Sequence, residues 1–188
     1  KGKRYTDALK RYDRDAQHAP SEALGLCTSL AAAKFDETVD FIARLGVDPR
    51  KADQIVRGTV ALPAGTGKDV RVAVFAAGEA ATAAREAGAD HVGADDLAEQ
   101  VEGGMLDFDV AKAVEEFKGG KVEYRTDRYG NVHVPIGRVS FSPQALEDNF
   151  WAVVDELQRA KPAAAKGRYF RKLGISSTMG PGIRIDPA

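Results

Sequence analysis

The stretch Ala33–Pro49, AKFDETVDFIARLGVDP, decides the fold, because it reads as a long strand leaving a helix. Val39, Phe41, Ala43 and Leu45 share one parity and Thr38, Asp40 and Arg44 the other, the period of two that a half-buried strand requires. Ile42 breaks the polar set. It either packs against an element on the second face or is one of the apolar side chains that ordinary proteins leave exposed. Phe35 has core parity but precedes the regular run, between Lys34 and the acidic pair Asp36 and Glu37. It reads as a surface aromatic or as a staple closing the preceding helix.

Toward the N-terminus, Leu24, Cys27, Leu30 and Ala31 form the stripe of a helix that begins near Pro20, whose missing N–H is harmless in a first turn. Tyr5, Ala8, Leu9 and Tyr12, at i, i+3, i+4 and i+7, give a short amphipathic helix behind a basic tail. On the other side, Asp48 and Pro49 end the strand and Gly58–Leu62 forms a second, short one. The following loop PAGTGK, Pro63–Lys68, imitates a phosphate loop. Leu62 stands where its first Gly belongs and Asp69 where a Ser or Thr is needed, so it reads as a surface loop or a hinge.

From Arg71 the grammar changes. The apolar strand RVAVF is followed by an Ala-rich helix over Glu79–Ala87, a short strand at His91 and Val92, and a helix from Asp95, its N-cap, to Val101. This βαβα order predicts a small parallel α/β domain, too short to cover both faces of its sheet. After MLDFDV, Val110, Val114 and Phe117 predict a one-sided helix, and VEYRTDRYGNVHVPIG a hairpin of two paired strands with Pro135 at an edge or bulge. The clearest helix runs from Pro143 to Ala160 with Ser142 as N-cap and Leu146, Phe150, Val153 and Leu157 inward. A final strand, RYFRKLGIS, leads through STMGPG to IRID. The expected fold is an α+β outer domain of the split β-α-β sandwich type, built from residues 1–69 and 110–188. Into it is inserted a truncated, Rossmann-like three-layer α/β domain, residues 70–109.

Of 188 residues, 44% are hydrophobic and 29% charged, and no apolar run reaches membrane length. No apolar segment follows KGKRY, so a cytoplasmic location without a membrane partner is expected. Cys27, the one cysteine, reads as a small buried apolar residue. The net charge of −1 hides an asymmetry: residues 1–69 hold 12 basic against 10 acidic side chains, residues 70–109 hold 2 against 9, and residues 110–188 hold 13 against 9. The outer segments are thus +6 and the middle −7, which suits the outer domain to a polyanion and the middle to none.

Three scattered histidines, and the absence of a short-range metal or Ser-His-Asp motif, give no reason to expect an enzyme or a cofactor. The alternative, a small α/β nucleotide-binding enzyme, would have to use the middle domain. The binding reading has more material. Lys34, Phe35, Arg125, Arg128, Tyr129, Arg138, Arg171 and Lys172 fall near strand ends or on polar strand faces, where cations reach phosphates and rings stack on bases. SSTMGPG, Ser176–Gly182, reads equally as a presenter of hydroxyls and backbone N–H groups to an anionic backbone and as a wide β-bend with local hydrogen bonds.

AKFDETVDFIARLGVDPRKADQIVRGTVALPAGTGK, VEYRTDRYGNVHVPIG and SSTMGPGIRID resemble the bacterial large-subunit ribosomal protein one family, the stalk protein beside the tRNA exit site. The resemblance covers essentially the whole chain. It implies a non-catalytic protein of the large ribosomal subunit that binds the stalk region of 23S rRNA, helps release deacylated tRNA from the exit site, and represses translation of its own operon through the mRNA leader. Its further partners would be other ribosomal components. The positions matching the family's RNA-contacting motifs are Lys34, Phe35, Thr38 and Asp40; Arg125, Asp127 and Arg128; and Ser177, Thr178, Met179 and Gly180, to which the residue chemistry adds Arg171. Asp40 stands where the family more often has Glu. In that family several dozen residues separate the equivalents of MLDFDV and AKAVEEFKGG, whereas here Asp109 and Val110 run directly on. The expectation is therefore a numbering that passes over a missing segment near 109–110, favoured over a small domain that has been cut down, with hinges near Thr66–Val70 and Val110.

Overall fold

In the computed structural model, residues 2–67, 72–86, 88, 90–94, 97, 109–110 and 120–186 are described. The chain divides into two compact units, Lys1–Gly67 with Val122–Ala188, and Lys68–Lys121.

The first unit is built on β2 (Thr38–Leu45), whose alternation is realised residue by residue: Val39, Phe41, Ala43 and Leu45 are buried and the intervening side chains are not. Its five-stranded sheet has the order β1-β10-β9-β2-β8, with β1 at Gln17–His18, β8 at Asn131–Arg138, β9 at Phe170–Ser177 and β10 at Ile183–Ile185. Both neighbours of β2 run antiparallel to it, Thr38 facing Arg138 and Arg44 facing Lys172; only β1 and β10 are parallel. β2 is thus paired on both edges by strands from far later in the sequence. Two helices cover the buried face, α2 (Pro20–Leu30) and a long one over Pro143–Arg159, here α4. Pro143 occupies α4's first turn and the Ser142 hydroxyl accepts from Ala145 N–H, as its sequence requires. Phe41 meets Phe150 of α4 edge-on, ring centroids 5.3 Å apart, in the middle of this core. Ile42 lies on the opposite face, half-buried.

One expected pairing is corrected. The chain over Lys121–Arg125 (β7) turns into β8 but does not pair with it; β7 joins β3 (Arg57–Ala61) in a separate two-stranded sheet. Thr126 shows why. Buried beside Val56, it donates its N–H to the Val56 carbonyl, and its hydroxyl accepts from Val56 N–H at 3.3 Å, drawing the strand away before the turn. Pro135 sits on β8, an outer strand, opposite the irregularity between Val39 and Asp40.

The second unit contains a parallel sheet of order β5-β4-β6, made of β4 (Val72–Phe75), β5 (His91–Gly93) and β6 (Asp109–Val110), with α3 at Glu79–Glu86. Its third strand corrects the reading of Val110, expected at the start of a one-sided helix with Val114 and Phe117 but found in a strand. Pairing of Asp109 and Val110 with Val72 and Ala73 ties them to this sheet, and the chain returns to the first unit at Val122 rather than at Val110. The helix expected over residues 95–101, and the rest of the one expected from Val110 to Phe117, fall outside the described residues, Leu97 excepted. No helix among the described residues is long and apolar enough to cross a membrane.

Candidate nucleic-acid interface

Where β2 begins, two loops are bound together by one buried carboxylate. Glu37 is 2% exposed, in contrast to its exposed neighbour Asp36. Its Oε1 accepts from Ala32 N–H at 3.1 Å and Ala33 N–H at 2.8 Å, and its Oε2 from Met179 N–H at 2.9 Å. Burial alone would push this carboxyl up. The N–H groups of Met179 and Ala33, the nearby Ser177 hydroxyl and Ala32 N–H outweigh that and hold it below the usual carboxylate range. Ser177 Oγ is close enough to favour the charge, yet it lacks hydrogen-bond geometry to any partner. Beneath the pair, burial first and then the charges of Glu37 and Asp40 push the Cys27 thiol up to about 12, so it stays a neutral core residue.

The neighbouring contacts continue the lock. Thr38 N–H donates to the Thr178 hydroxyl at 3.0 Å, Thr178 N–H returns to the Thr38 carbonyl at 3.1 Å, and Gly180 N–H closes a turn on the Ser177 carbonyl. A Cβ at Gly180 would run into Ser177 Oγ, so the turn is drawn tightly over the buried serine. Asp36 accepts from the Ser140 N–H and hydroxyl, and Arg138 donates to the Asp36 and Gly67 carbonyls. With the backbone so occupied, the side chains between the anchors face outward. Lys34 is exposed, and Phe35 and Met179 are 56% and 64% exposed, flanking a largely apolar cleft of about 670 Å³ that Tyr5, Ala8 and Leu30 also line. Phe35 is therefore a surface aromatic and not a staple.

The proposed contacts fall at two ends of one strand. Lys34, Phe35, Thr38, Asp40, Ser177, Thr178, Met179 and Gly180 gather where β2 starts. Arg125, Asp127, Arg128 and Arg171 lie toward its other end, where Arg44 pairs with Asn131 and Lys172. The six-residue run between Thr38 and Arg44 makes that separation about 20 Å. Asp127 is committed to the turn: Oδ1 accepts from Tyr129 and Asn131 N–H, both at 2.8 Å, and Oδ2 from the Asn131 amide at 3.0 Å. Burial works against its charge, but these donors and His133 hold its pKa below the ordinary value. Arg128, exposed, lies over the Tyr129 ring at 5.0 Å from its centroid. Ser177 is buried, so its part is to support the turn.

Two residues that organise the site were missed by sequence reasoning. Glu37 had the appearance of one half of a solvated acidic pair, and no local pattern separates it from Asp36. Asn149, wholly buried on α4, accepts from Ala64 N–H and donates to the Gly65 and Ile136 carbonyls at 3.0 and 2.7 Å. Its signal was a polar residue beside Phe150 on an otherwise apolar face. With Gly65 N–H donating to the Leu62 carbonyl as well, these loop amides are spent on the protein and not arranged around a phosphate. Among the described residues no group of metal-ligating side chains occurs.

Fold and site together define a mixed α/β scaffold, interrupted by a second unit, that presents a cation, an aromatic ring, hydroxyls and a thioether where β2 begins. Residues 27–111 and 103–181 match the family model described as Ribosomal protein L1p/L10e family, and the chain belongs to that family. Similar over their lengths are proteins called large ribosomal subunit protein uL1 from Cutibacterium acnes, 52% identical, and Thermobifida fusca, 48% identical. Both alignments take in the whole chain, with 96% and 95% of the relative. They extend over 223 positions against 188 residues here, so the relatives carry positions without counterpart, and the two stretches matched by the family model meet at 103–111.

Proposed function

We propose that this chain is a ribosome-associated, non-enzymatic protein of the large subunit that binds the stalk region of 23S rRNA through its first unit. Family membership and relatives named as large-subunit ribosomal proteins support this reading. The observation that carries the site is Glu37, whose three accepted N–H bonds hold the 32–35 and 177–180 loops in one arrangement. Lys34 neutralises phosphate, Phe35 and Met179 pack on ribose or base, and Thr178 with the adjoining backbone reads the shape and 2′-hydroxyls of folded RNA. Arg125, Arg128 and Arg171 form a second contact farther along the sheet, with Asp127 holding the turn that presents the first two. Asp40, shorter than the family's usual Glu, reaches RNA through water.

In the same reading, the first unit is a split β-α-β sandwich and the second a reduced Rossmann-like insert that serves exit-site tRNA release. The RNA site also takes the leader of the chain's own mRNA and so represses its operon. Competition tests both RNA partners: a 23S stalk fragment binds saturably and the leader transcript displaces it. Absence of stalk binding would overturn the function, and failure of the leader alone would remove the repressor role.

A further inference from the structure

Along α4 lies a second surface that the RNA reading leaves unused. Trp151 is 46% exposed, but its ring is fixed edge-on to buried Phe150, centroids 5.3 Å apart and planes at 82°. Beside it opens a cleft of about 330 Å³ floored by Phe150, Val154 and Phe170. Asp155 and Asp186 line it, and among the described residues no Lys or Arg does. Glu147 and Asp148, four and three positions before Trp151 on the helix, add negative charge one turn away from it. The cleft shares no residue with the one between Phe35 and Met179.

We infer that this cleft docks a basic polypeptide segment carrying an aliphatic side chain between lysines or arginines. A rigid aromatic beside an apolar hollow is the kind of anchor that dominates protein interfaces, because little side-chain freedom is lost when it is covered. The carboxylates select the partner. They repel nucleic-acid phosphate, and in a symmetric pairing of two copies they would bring like charges together, whereas they attract cations flanking a buried aliphatic group.

Trp151 is the chain's one tryptophan, so its emission reports the cleft directly. The probes are a capped Lys-Leu-Lys-Leu-Lys peptide and its Glu-Leu-Glu-Leu-Glu counterpart, titrated against the full chain. The basic peptide should shift Trp151 emission to shorter wavelength saturably and less strongly as salt is raised, while the acidic one should leave it unchanged. Asp155→Lys, at an exposed position, should weaken the basic peptide's binding at least tenfold with an unchanged melting temperature. Equal response to both peptides, no response to either, or binding indifferent to Asp155→Lys would overturn the inference. A blue shift that grows with protein concentration without peptide, together with dimers in sedimentation, would assign the cleft to a second copy instead.

Discussion

A single carboxylate determines how the proposed RNA surface is displayed. Glu37 receives three backbone N–H groups from two loops far apart in sequence, so replacing it with Gln sets an amide against donors and removes the charge they stabilise. Glu37→Gln should lower unfolding stability by about 1–3 kcal/mol, read from urea midpoints at constant slope. Its pH dependence has a definite sign. Because the folded pKa lies below that of an ordinary glutamate, the contribution is present above the unfolded value near about 4.3 and is lost as pH falls through the folded one. The gap between wild type and Glu37→Gln should therefore be full at neutral pH and narrow on acidification below that range. A gap constant with pH would mean that the charge does not hold the loops.

At the scale of elements, β2 was legible because burial on one face imposes alternation on the residues themselves, and α4 because its cap and apolar spacing lie within one segment. Partner strands were less so. Nothing within VEYRT says that its hydrogen bonds go to β3 and not to the strand across the turn, since Thr126 and Val56 meet only after folding. The site was half legible: Phe35 stood out by breaking a pattern, but Glu37 could be recognised only once Met179 lay opposite it. Two substitutions test the elements. A Cβ at Gly46, just beyond β2, would collide with the Arg168 carbonyl, backbone that cannot rotate away, while Gly46 N–H donates to the Tyr169 carbonyl at 2.6 Å. Gly46→Ala should cost about 1–3 kcal/mol, measured by urea unfolding. Asn149→Ala would strand the Ala64 N–H and Gly65 carbonyl of the Pro63–Gly67 loop and the Ile136 carbonyl of β8, and should cost about 2–4 kcal/mol, with faster amide exchange at Ala64.

For the molecule as a whole, the main core belongs to the unit assembled from both chain ends, with Phe41 and Phe150 at its centre. The second unit interrupts the sequence of the first. A stiff sheet of this kind fixes the side chains of the proposed RNA surface where β2 begins. Phe35 and Met179 are each more than half exposed, so truncating them removes contacts with a partner while leaving the core intact. The most direct test is the affinity of the complete chain for a 23S stalk fragment at fixed salt, comparing wild type with the Phe35→Ala, Met179→Ala double variant. A loss of more than about tenfold, or 1.4 kcal/mol, at an unchanged melting temperature is the result expected. Equal affinity of the two proteins would contradict the assignment of this surface to RNA.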